Sequence, residues 1–488
     1  MNRRQFLAIG GIASASLVLG ACAPARAIVQ QARGNDGALL LPTRVTDETW
    51  HALSRMTFAP RADELVRAKE LGLDAWTEEQ LAPETLDDWD CELRTRGLDT
   101  LWMEPDLILN VRQDAAKQEL QQATLLRAIY SRRQLYETVV EFWSDHFNIA
   151  QDKFDCAWLK TVDEREVIRK HAFGNFYEML WASMRSPAML HYLDNHENFS
   201  HAPNENYARE LLELHALGVE AGYTQRDVRE TARALTGWTV NQSWRRGRFE
   251  FDADVHDNAE KIVLGVHLPA HGGESDGQRV FDTMCAHPAL PKFIARKLAR
   301  RFVADEPPAS LVEKTARAFS ESRGDIKTTL RAMLFSDEFR SAPPKYKRPL
   351  QLVAGALRQL KVETNARAAL LRHLAKMGQP LHQWDMPDGF PDMANAWQNN
   401  LLSRWQFALA LASDEIQGTR VNWAQLQNIA GDGSLRDALR NFASLLLGAE
   451  LPKTNLDTLA EMFRRVPQEK NVPFALAVLI ASPQYQWR

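Results

Sequence analysis

Apolar residues recur every three or four positions over most of this chain, which predicts helices. Residues 248–252 alternate instead, and residues 261–265 form an apolar run after a turn-rich link, which together predict one hairpin. The predicted fold class is mainly α, a large multi-helix domain with one small β-hairpin insertion. The helical period covers about 47–70, 75–82, 112–150, 159–186, 204–236, 276–303, 309–340, 347–362, 364–377 and the stretch from about 401 onward.

The first residues have the pattern of an export signal. Arg3 and Arg4 precede Phe6 and Leu7, and an apolar run without Asp or Glu continues to Ala21. That run is shorter than the roughly 20 residues that a membrane-spanning helix needs. Paired arginines before such a run indicate the twin-arginine export route, and an ordinary secretory signal is the alternative.

Two ways of processing this signal remain open. The sequence Leu19-Gly20-Ala21-Cys22 resembles a lipobox, in which Cys22 becomes the lipidated first residue of the mature protein. Cleavage after Ala27 would instead release a soluble periplasmic protein. We predict the lipoprotein, anchored to the membrane through its lipid on the periplasmic side of the cell envelope.

The remaining organisation follows from length and composition. Residues 28–45 are predicted to be a tether, 46–415 a helical domain, and 416–488 C-terminal helices packed on the same domain. The 59 Lys and Arg residues against 63 Asp and Glu form no basic stripe, which argues against nucleic-acid binding. The four cysteines include no CxxC pair, which argues against thiolate zinc and iron–sulfur sites.

Polar side chains capable of chemistry concentrate between Ser186 and Trp238. One predicted helix begins at Asn204, a good N-cap, and ends at Gly218. It carries the acidic residues Glu205, Glu210 and Glu213 at helical spacing. A solvated helix face, including a Glu205–Arg209 surface pair, is the simpler interpretation, whereas burial of these groups would require partners or a ligand.

Imidazoles elsewhere in the chain suit the same chemistry. His146 lies on the apolar stripe of the 112–150 segment beside Trp143, where either a hydrogen-bonded core histidine or a ligand is expected. His256 and Asp257 lie in the link before the 261–265 run. Imidazole and carboxylate together suit zinc, manganese or iron.

The motifs allow a resemblance to be named. HALSRMTFAP near the start, PNENYARELLELHALG and ARALTGW resemble the exported bacterial family catalogued as domain of unknown function 1800. The resemblance covers nearly the whole mature chain and implies an exported, mainly helical protein with no established reaction. Residues 385–391 depart from the family's usual Pro-Pro…Gly-Trp-Pro pattern. Members are frequently encoded beside a sulfatase- or phosphatase-like family, domain of unknown function 1501, which implies a partner.

Three functions remain open. The first is a metal-dependent hydrolase that holds one divalent metal ion through Glu210, Glu213, His146, His256 and Asp257. Glu205 would then be the general base, and Arg209 would stabilise developing negative charge. The second is a non-catalytic partner or maturation factor that docks through Trp384 and Trp397. The third is an envelope polysaccharide-binding protein that uses some of its 14 tryptophans for stacking.

Overall fold

The structure is a computed structural model that describes residues 47–243, 246–431, 434–462 and 470–488. The predicted export signal, the lipidation of Cys22 and the tether at 28–45 therefore lie outside the described residues. Where the chain is described, helices dominate and strands occur in three two-stranded sheets, so the mainly helical prediction is confirmed. No helix in these ranges combines the length and apolarity needed to cross a membrane.

The helices that precede the first strand form most of the larger core. Two of them continue directly into π-helical segments, Glu164–Arg169 and Leu211–Ala216. Such widened turns are rare and often occur at functional sites. The helices are α1 (Glu48–Met56), α2 (Ala62–Leu71), α3 (Leu73–Leu81), α4 (Trp89–Thr95), α5 (Pro105–Ile108), α6 (Gln113–Tyr130), α7 (Gln134–His146), α8 (Cys156–Asp163), α9 (Phe176–Met184), α10 (Pro187–Tyr192), α11 (Glu205–Glu210) and α12 (Gln225–Ala234).

Further helices follow the first two sheets. They are α13 (Ser275–Ala286), α14 (Ala289–Phe302), α15 (Ala309–Glu321), α16 (Ile326–Leu334), α17 (Asp337–Arg340), α18 (Pro349–Gln359), α19 (Ala368–Lys376), α20 (Leu401–Ala412), α21 (Trp423–Ala430), α22 (Leu435–Leu447), α23 (Lys453–Met462) and α24 (Asn471–Ala481). Their apolar faces are buried at helical spacing, as on α15, where Leu311, Thr315 and Phe319 face the core.

The strands pair locally, which contradicts the predicted single hairpin. Strand β1 (Trp238–Val240) pairs with β2 (Phe249–Phe251), and β3 (Lys261–Val263) pairs with β4 (Val266–Leu268), all antiparallel. The turn after β3 explains the error, because Leu264 has φ of 51° and Gly265 has φ of 80°. Two consecutive positive φ values close a tight two-residue hairpin. A third pair joins β5 (Glu363–Thr364) to β6 (Thr419–Arg420).

The chain forms two compact units. The larger contains Glu48–Phe407, Ile416–Asn422 and Trp487–Arg488, and it carries every residue of the predicted site. The smaller contains Ala408–Glu415 and Trp423–Gln486, within which α22 and α24 bury an apolar face each.

Aromatic side chains occupy the centre of the larger unit. Trp143 of α7 and Phe147, which directly follows this helix, are fully buried against Phe176 of α9. The Trp143 and Phe176 ring centroids are 5.5 Å apart, within the range of favourable aromatic pairs. The predicted stripe of α7 is therefore a core face.

Capping residues fix the ends of the two helices that lie between Ser186 and Trp238. The backbone N–H of Asn206 donates to the side-chain oxygen of Asn204 at 3.0 Å, and Gly218 has φ of 83°. Thr224 and Asp227 form a reciprocal capping box at the start of α12. The predicted start at Asn204 and the predicted end at Gly218 are therefore confirmed.

A buried network of charges ties the 385–392 loop to the helices. Arg301 of α14 lies 2.8 Å from Asp392, and Arg348 lies 2.7 Å from Asp145 of α7. Glu141 contacts both arginines. Buried charges require such pairing because water no longer solvates them.

Candidate functional site

The predicted catalytic pair forms a surface cluster. The Arg209 Nη2 atom donates to Glu205 Oε2 at 3.1 Å, and Arg229 Nε lies 3.7 Å from the other carboxylate oxygen. Gln225 also donates to Glu205. Exposed pairs of this kind contribute about 0–1 kcal/mol to stability, so the geometry matches the simpler interpretation of a solvated face.

Two of the predicted ligands, Glu210 and Glu213, lie close together. Partial burial raises the pKa of Glu210, and the neighbouring Glu213 carboxylate raises it further. Asp388 of the 385–392 loop acts on Glu210 in the same direction. A half-buried carboxyl among like charges is easier to protonate than a free one.

His146 is a core histidine in contact with aromatic rings. Its Nε2 atom lies 3.0 Å from the backbone carbonyl oxygen of His215, and its ring centroid lies 5.4 Å from that of Trp143. Burial lowers the pKa of His146 well below its usual value. The imidazole is therefore neutral at physiological pH.

His256 and Asp257 are held by a separate set of partners. His256 Nδ1 lies 2.8 Å from the Thr236 carbonyl oxygen, and His256 Nε2 lies 3.4 Å from Asp276 Oδ2. Asp257 accepts from Arg233 Nε at 2.7 Å. These contacts anchor the link before β3 to α12 and α13, and none involves another predicted ligand.

The described ranges contain no group of three or more His, Cys, Asp or Glu side chains placed to hold a metal ion. The divalent metal site therefore stays a prediction, which elemental analysis of the purified protein tests directly. The docking role of Trp384 and Trp397 likewise stays a prediction. Trp397 is only 4% exposed and packs beside Phe390, and Trp384 Nε1 donates to Asp388 at 2.9 Å.

A cleft of about 520 Å³ opens elsewhere in the larger unit. It lies between α4, the 3₁₀ turn Asp99–Trp102, α6 and the π-helical segment that follows α8. Its size falls within the range of roughly 300–1,000 Å³ that is usual for small-molecule sites. Five guanidinium groups line this arginine cleft, namely those of Arg96, Arg127, Arg133, Arg165 and Arg169.

The acidic residues of the arginine cleft are already paired. Glu137 accepts two hydrogen bonds from Arg169, at 2.7 and 2.8 Å. Glu92 lies 3.3 Å from Arg133. Asp88 accepts from the Ser131 hydroxyl and the Arg132 backbone N–H, and Glu164 accepts from Ser144 at 2.9 Å and lies 3.2 Å from Lys160.

Arg127 contrasts with those pairs. Among the described residues its guanidinium has no hydrogen bond and no ion pair, although it is partly buried in the cleft wall. Burial lowers the pKa of Arg127 to about 10 and the nearby Arg169 charge acts in the same direction, whereas the Glu137 and Glu164 carboxylates favour the charged form without contacting it. A desolvated cation without a partner is costly, so this position favours a bound anion.

Two tryptophans lie at the mouth of the cleft. Trp89 is 64% exposed and Trp102 is 63% exposed, and both line the cleft together with the exposed Leu93. Large exposed apolar side chains gathered at one place commonly mark a binding surface.

A smaller interior cavity of about 40 Å³ shares three walls with the cleft, Glu137, Glu164 and Arg169. Ser144, Asp145, Asn148 and His382 also line it. A polar space of this volume holds a few water molecules, since one needs roughly 10–15 Å³ by this kind of measure. The Glu137–Arg169 pair thus separates the cleft from a polar interior.

The cleft residues are not evident from the sequence. The arginines occur singly on amphipathic segments, where each matches an ordinary solvated face, and Trp89 and Trp102 lie in a stretch without a clear helical period. The sequence feature that could have indicated the cleft is the pair of tryptophans among the polar residues 87–104. Hydrophobic periodicity does not distinguish these two tryptophans from tryptophans of the core.

Comparisons with known proteins give a family and no reaction. No curated protein and no solved structure matches the chain. The family model described as "Protein of unknown function (DUF1800)" matches residues 51–487, which include the arginine cleft and the segment Ser186–Trp238. The chain therefore belongs to the DUF1800 family of proteins of unknown function.

Proposed function

We propose that this protein binds an acidic polysaccharide of the cell envelope in the arginine cleft. The observation that carries the proposal is the unpaired Arg127 guanidinium in the wall of a cleft whose mouth presents two exposed tryptophans. The proposal joins two chemical requirements, a negative charge and a flat ring with an apolar face. A uronic acid residue within a polysaccharide meets both.

The ligand must carry a negative charge because of how the charged residues of the cleft are paired. Each acidic wall residue already has a partner, whereas Arg127 and Arg96 have no ion pair among the described residues. A carboxylate would match the planar fork of a guanidinium and form charge-assisted hydrogen bonds. Partial burial of Arg127 strengthens such a bond because water competes less.

The ring requirement follows from the cleft mouth. Trp89 and Trp102 each leave roughly two thirds of their surface to solvent, although tryptophan is the side chain with the largest area to bury. Sugar rings present apolar C–H faces that cover indole without displacing strongly bound water. The cleft volume of about 520 Å³ falls within the range of roughly 300–1,000 Å³ that is usual for small-molecule sites.

The proposed export supports the same function. An export signal followed by a lipid anchor at Cys22 would hold the protein on the periplasmic side, where envelope polysaccharides occur. The localisation is itself a proposal, and binding by the purified soluble protein is tested independently of it.

Calorimetric titration of the purified protein with hexagalacturonate tests the proposal. We expect binding that weakens as salt is added, because the interaction is between charges. We expect no binding of a neutral oligosaccharide of equal length. Inorganic phosphate alone is the control for simple anion binding, and phosphate binding as tight as that of the oligomer would contradict a sugar site.

Matched variants sharpen the test. Arg127→Gln and Trp102→Ala should each weaken binding by about tenfold or more, which corresponds to 1.4 kcal/mol or more. Arg331→Gln and Phe154→Ala, which remove an exposed arginine and an exposed aromatic ring outside the cleft, should not change the affinity. Equal affinity in all four variants would refute the cleft as the binding site.

A further inference from the structure

One polar side chain in the wall of the arginine cleft has no partner for its hydroxyl group. Thr161 lies on α8, lines the cleft and is only 1% exposed. Its Oγ1 atom has no hydrogen-bond partner among the described residues. Buried polar atoms without partners are rare and point to a ligand, a water molecule or a chemical role.

Other threonines in helices use their hydroxyl groups within the helix. The hydroxyls of Thr95, Thr124 and Thr138 each donate to the backbone carbonyl oxygen four residues earlier, at 3.0 Å. This bond is the common way in which a helical threonine satisfies its hydroxyl. The corresponding acceptor for Thr161 is the carbonyl oxygen of Ala157, and Thr161 does not form this bond. Its hydroxyl is therefore available to donate to another group.

The position of Thr161 distinguishes it from other buried threonines. Thr231 and Thr315 also lack a hydroxyl partner in the part of the chain that the structure describes. Neither of them lines the arginine cleft or the interior cavity. An unpartnered hydroxyl alone is thus not a sign of a site, whereas one in the wall of a cleft is.

The arginines of the cleft show where an anion would find an unused cation. Three of the five guanidinium groups donate to protein atoms, namely those of Arg133, Arg165 and Arg169. Of the other two arginines, Arg96 is exposed and Arg127 is partly buried. Arg127 therefore provides the unused guanidinium that is shielded from solvent.

Thr161 and Arg127 together offer donors that suit a carboxylate. Arg127 lies on α6, which packs against α8, and both residues line the same cleft. A guanidinium and a hydroxyl can both donate to the oxygens of one carboxylate, and bonds to a charged acceptor are the stronger kind. The carboxylates of Glu137 and Glu164 line the same cleft and would repel a phosphate group, which carries nearly two charges, more than a carboxylate.

We propose that Thr161 and Arg127 form a carboxylate subsite in the wall of the arginine cleft. The Thr161 hydroxyl donates to a carboxylate oxygen of one uronate ring, and the Arg127 guanidinium donates to the same carboxylate. The inference rests on the proposed function, which supplies the uronate, and it makes Thr161 a residue that determines specificity. The remaining rings of the polysaccharide extend toward Trp89 and Trp102 at the cleft mouth.

The variant Thr161→Val tests the subsite, because valine replaces the hydroxyl with a methyl group of nearly the same shape. In calorimetric titration with hexagalacturonate we expect the affinity to fall at least tenfold, as a bond to a charged group is lost. Thr161→Ser keeps a hydroxyl and should keep most of the affinity. Thr315→Val removes an unpartnered buried hydroxyl outside the cleft and should leave the affinity unchanged.

Urea unfolding of the same variants without ligand separates binding from a structural role. The unfolding midpoint should not fall in Thr161→Val or Thr315→Val, because neither hydroxyl has a bond within the protein to lose. A lower midpoint or failed folding of Thr161→Val would show that the hydroxyl has a structural partner and would overturn the subsite.

The failure of this inference is distinguishable from the failure of the proposed function. Wild-type affinity in Thr161→Val, together with weakened binding in Arg127→Gln, would overturn the role of Thr161 and leave polysaccharide binding in the cleft intact. An equal loss of affinity in Thr161→Val and Thr315→Val would likewise overturn the subsite. No binding of hexagalacturonate by the wild-type protein would refute both proposals.

Discussion

The role of a buried histidine such as His146 depends on its neighbours in the fold as well as on its position in the sequence. The sequence placed His146 on an apolar stripe and left two interpretations open, a core histidine and a ligand. The structure places its ring among aromatic neighbours with one hydrogen bond to a backbone carbonyl. A single sequence shows the stripe but not the neighbours across it, so the choice required the fold.

The buried imidazole of His215 should make the unfolding free energy depend on pH. Burial lowers its folded-state pKa to about 3, so in acid the unfolded state, with a pKa near 6.5, binds the proton first. The contribution of the neutral His215 side chain to the unfolding free energy is therefore fully present above pH 6.5 and is lost as the pH falls toward 3. Between pH 6.5 and 4.5 the loss amounts to about 2 kcal/mol, given 1.36 kcal/mol per pH unit.

Urea unfolding at those two pH values measures the effect. The variant His215→Leu should show a fall in unfolding free energy that is smaller by about 2 kcal/mol than in the wild type. The control Leu212→Ala removes a buried neighbour and should cost about 2–5 kcal/mol at both pH values, without changing the pH dependence. An unchanged pH dependence in His215→Leu would show that this imidazole does not titrate as described.

At the scale of elements, local signals were sufficient for helix ends and insufficient for strand pairing. The cap at Asn204 lies where the sequence predicted, because a cap depends on residues within one turn. The predicted hairpin was wrong because the residues 248–252 also had a partner upstream, at Trp238–Val240, which alternation alone does not reveal.

The 385–392 loop gives a prediction for an element. A Cβ atom on Gly389, which has φ of 73°, would lie 2.1 Å from the backbone oxygen of Asp145. Gly389→Ala should therefore lower the unfolding free energy by about 2–5 kcal/mol, which adds overpacking to the cost of a left-handed backbone. The loop would move away from α7.

The matched control is Gly222→Ala. Gly222 has φ of 85° and no atom within 4 Å of the added Cβ, so only the backbone cost of about 1–2 kcal/mol applies. Chemical denaturation of both variants gives the comparison. Equal losses would mean that the loop does not pack against α7 as closely as described.

For the whole molecule, the features that matter most join distant parts of the chain. The arginine cleft combines residues from 88–102, 120–137 and 161–169, and no one of these stretches shows the cleft by itself. The buried charge network likewise combines α7, α14 and the 385–392 loop. Sequence periodicity predicted the helical class. No pattern within a short stretch of sequence predicted that these distant residues come together.

Asp392 should contribute strongly to stability through the buried charge network. Asp392 lies 2.8 Å from Arg301 and 3.3 Å from Arg348, and these cations hold the pKa of Asp392 below its usual range despite burial. Asp392→Asn leaves both guanidinium groups with one partner fewer and should cost about 3–5 kcal/mol.

An exposed pair of the same kind is the control. Asp74 lies 2.7 Å from Arg340 and is largely solvated, so Asp74→Asn should cost about 0–1 kcal/mol. Thermal and urea unfolding of the two variants at neutral pH measure both losses. A small loss for Asp392→Asn would indicate that water enters the network and replaces the carboxylate.

Amide hydrogen exchange with and without hexagalacturonate locates the bound ligand on the wild-type protein. If the arginine cleft is the binding site, exchange should slow in α4, in the turn Asp99–Trp102 and in the facing part of α6, and stay unchanged at Glu205–Ala216. Unchanged exchange around the arginine cleft, or protection centred on Glu205–Ala216, would contradict binding in the cleft.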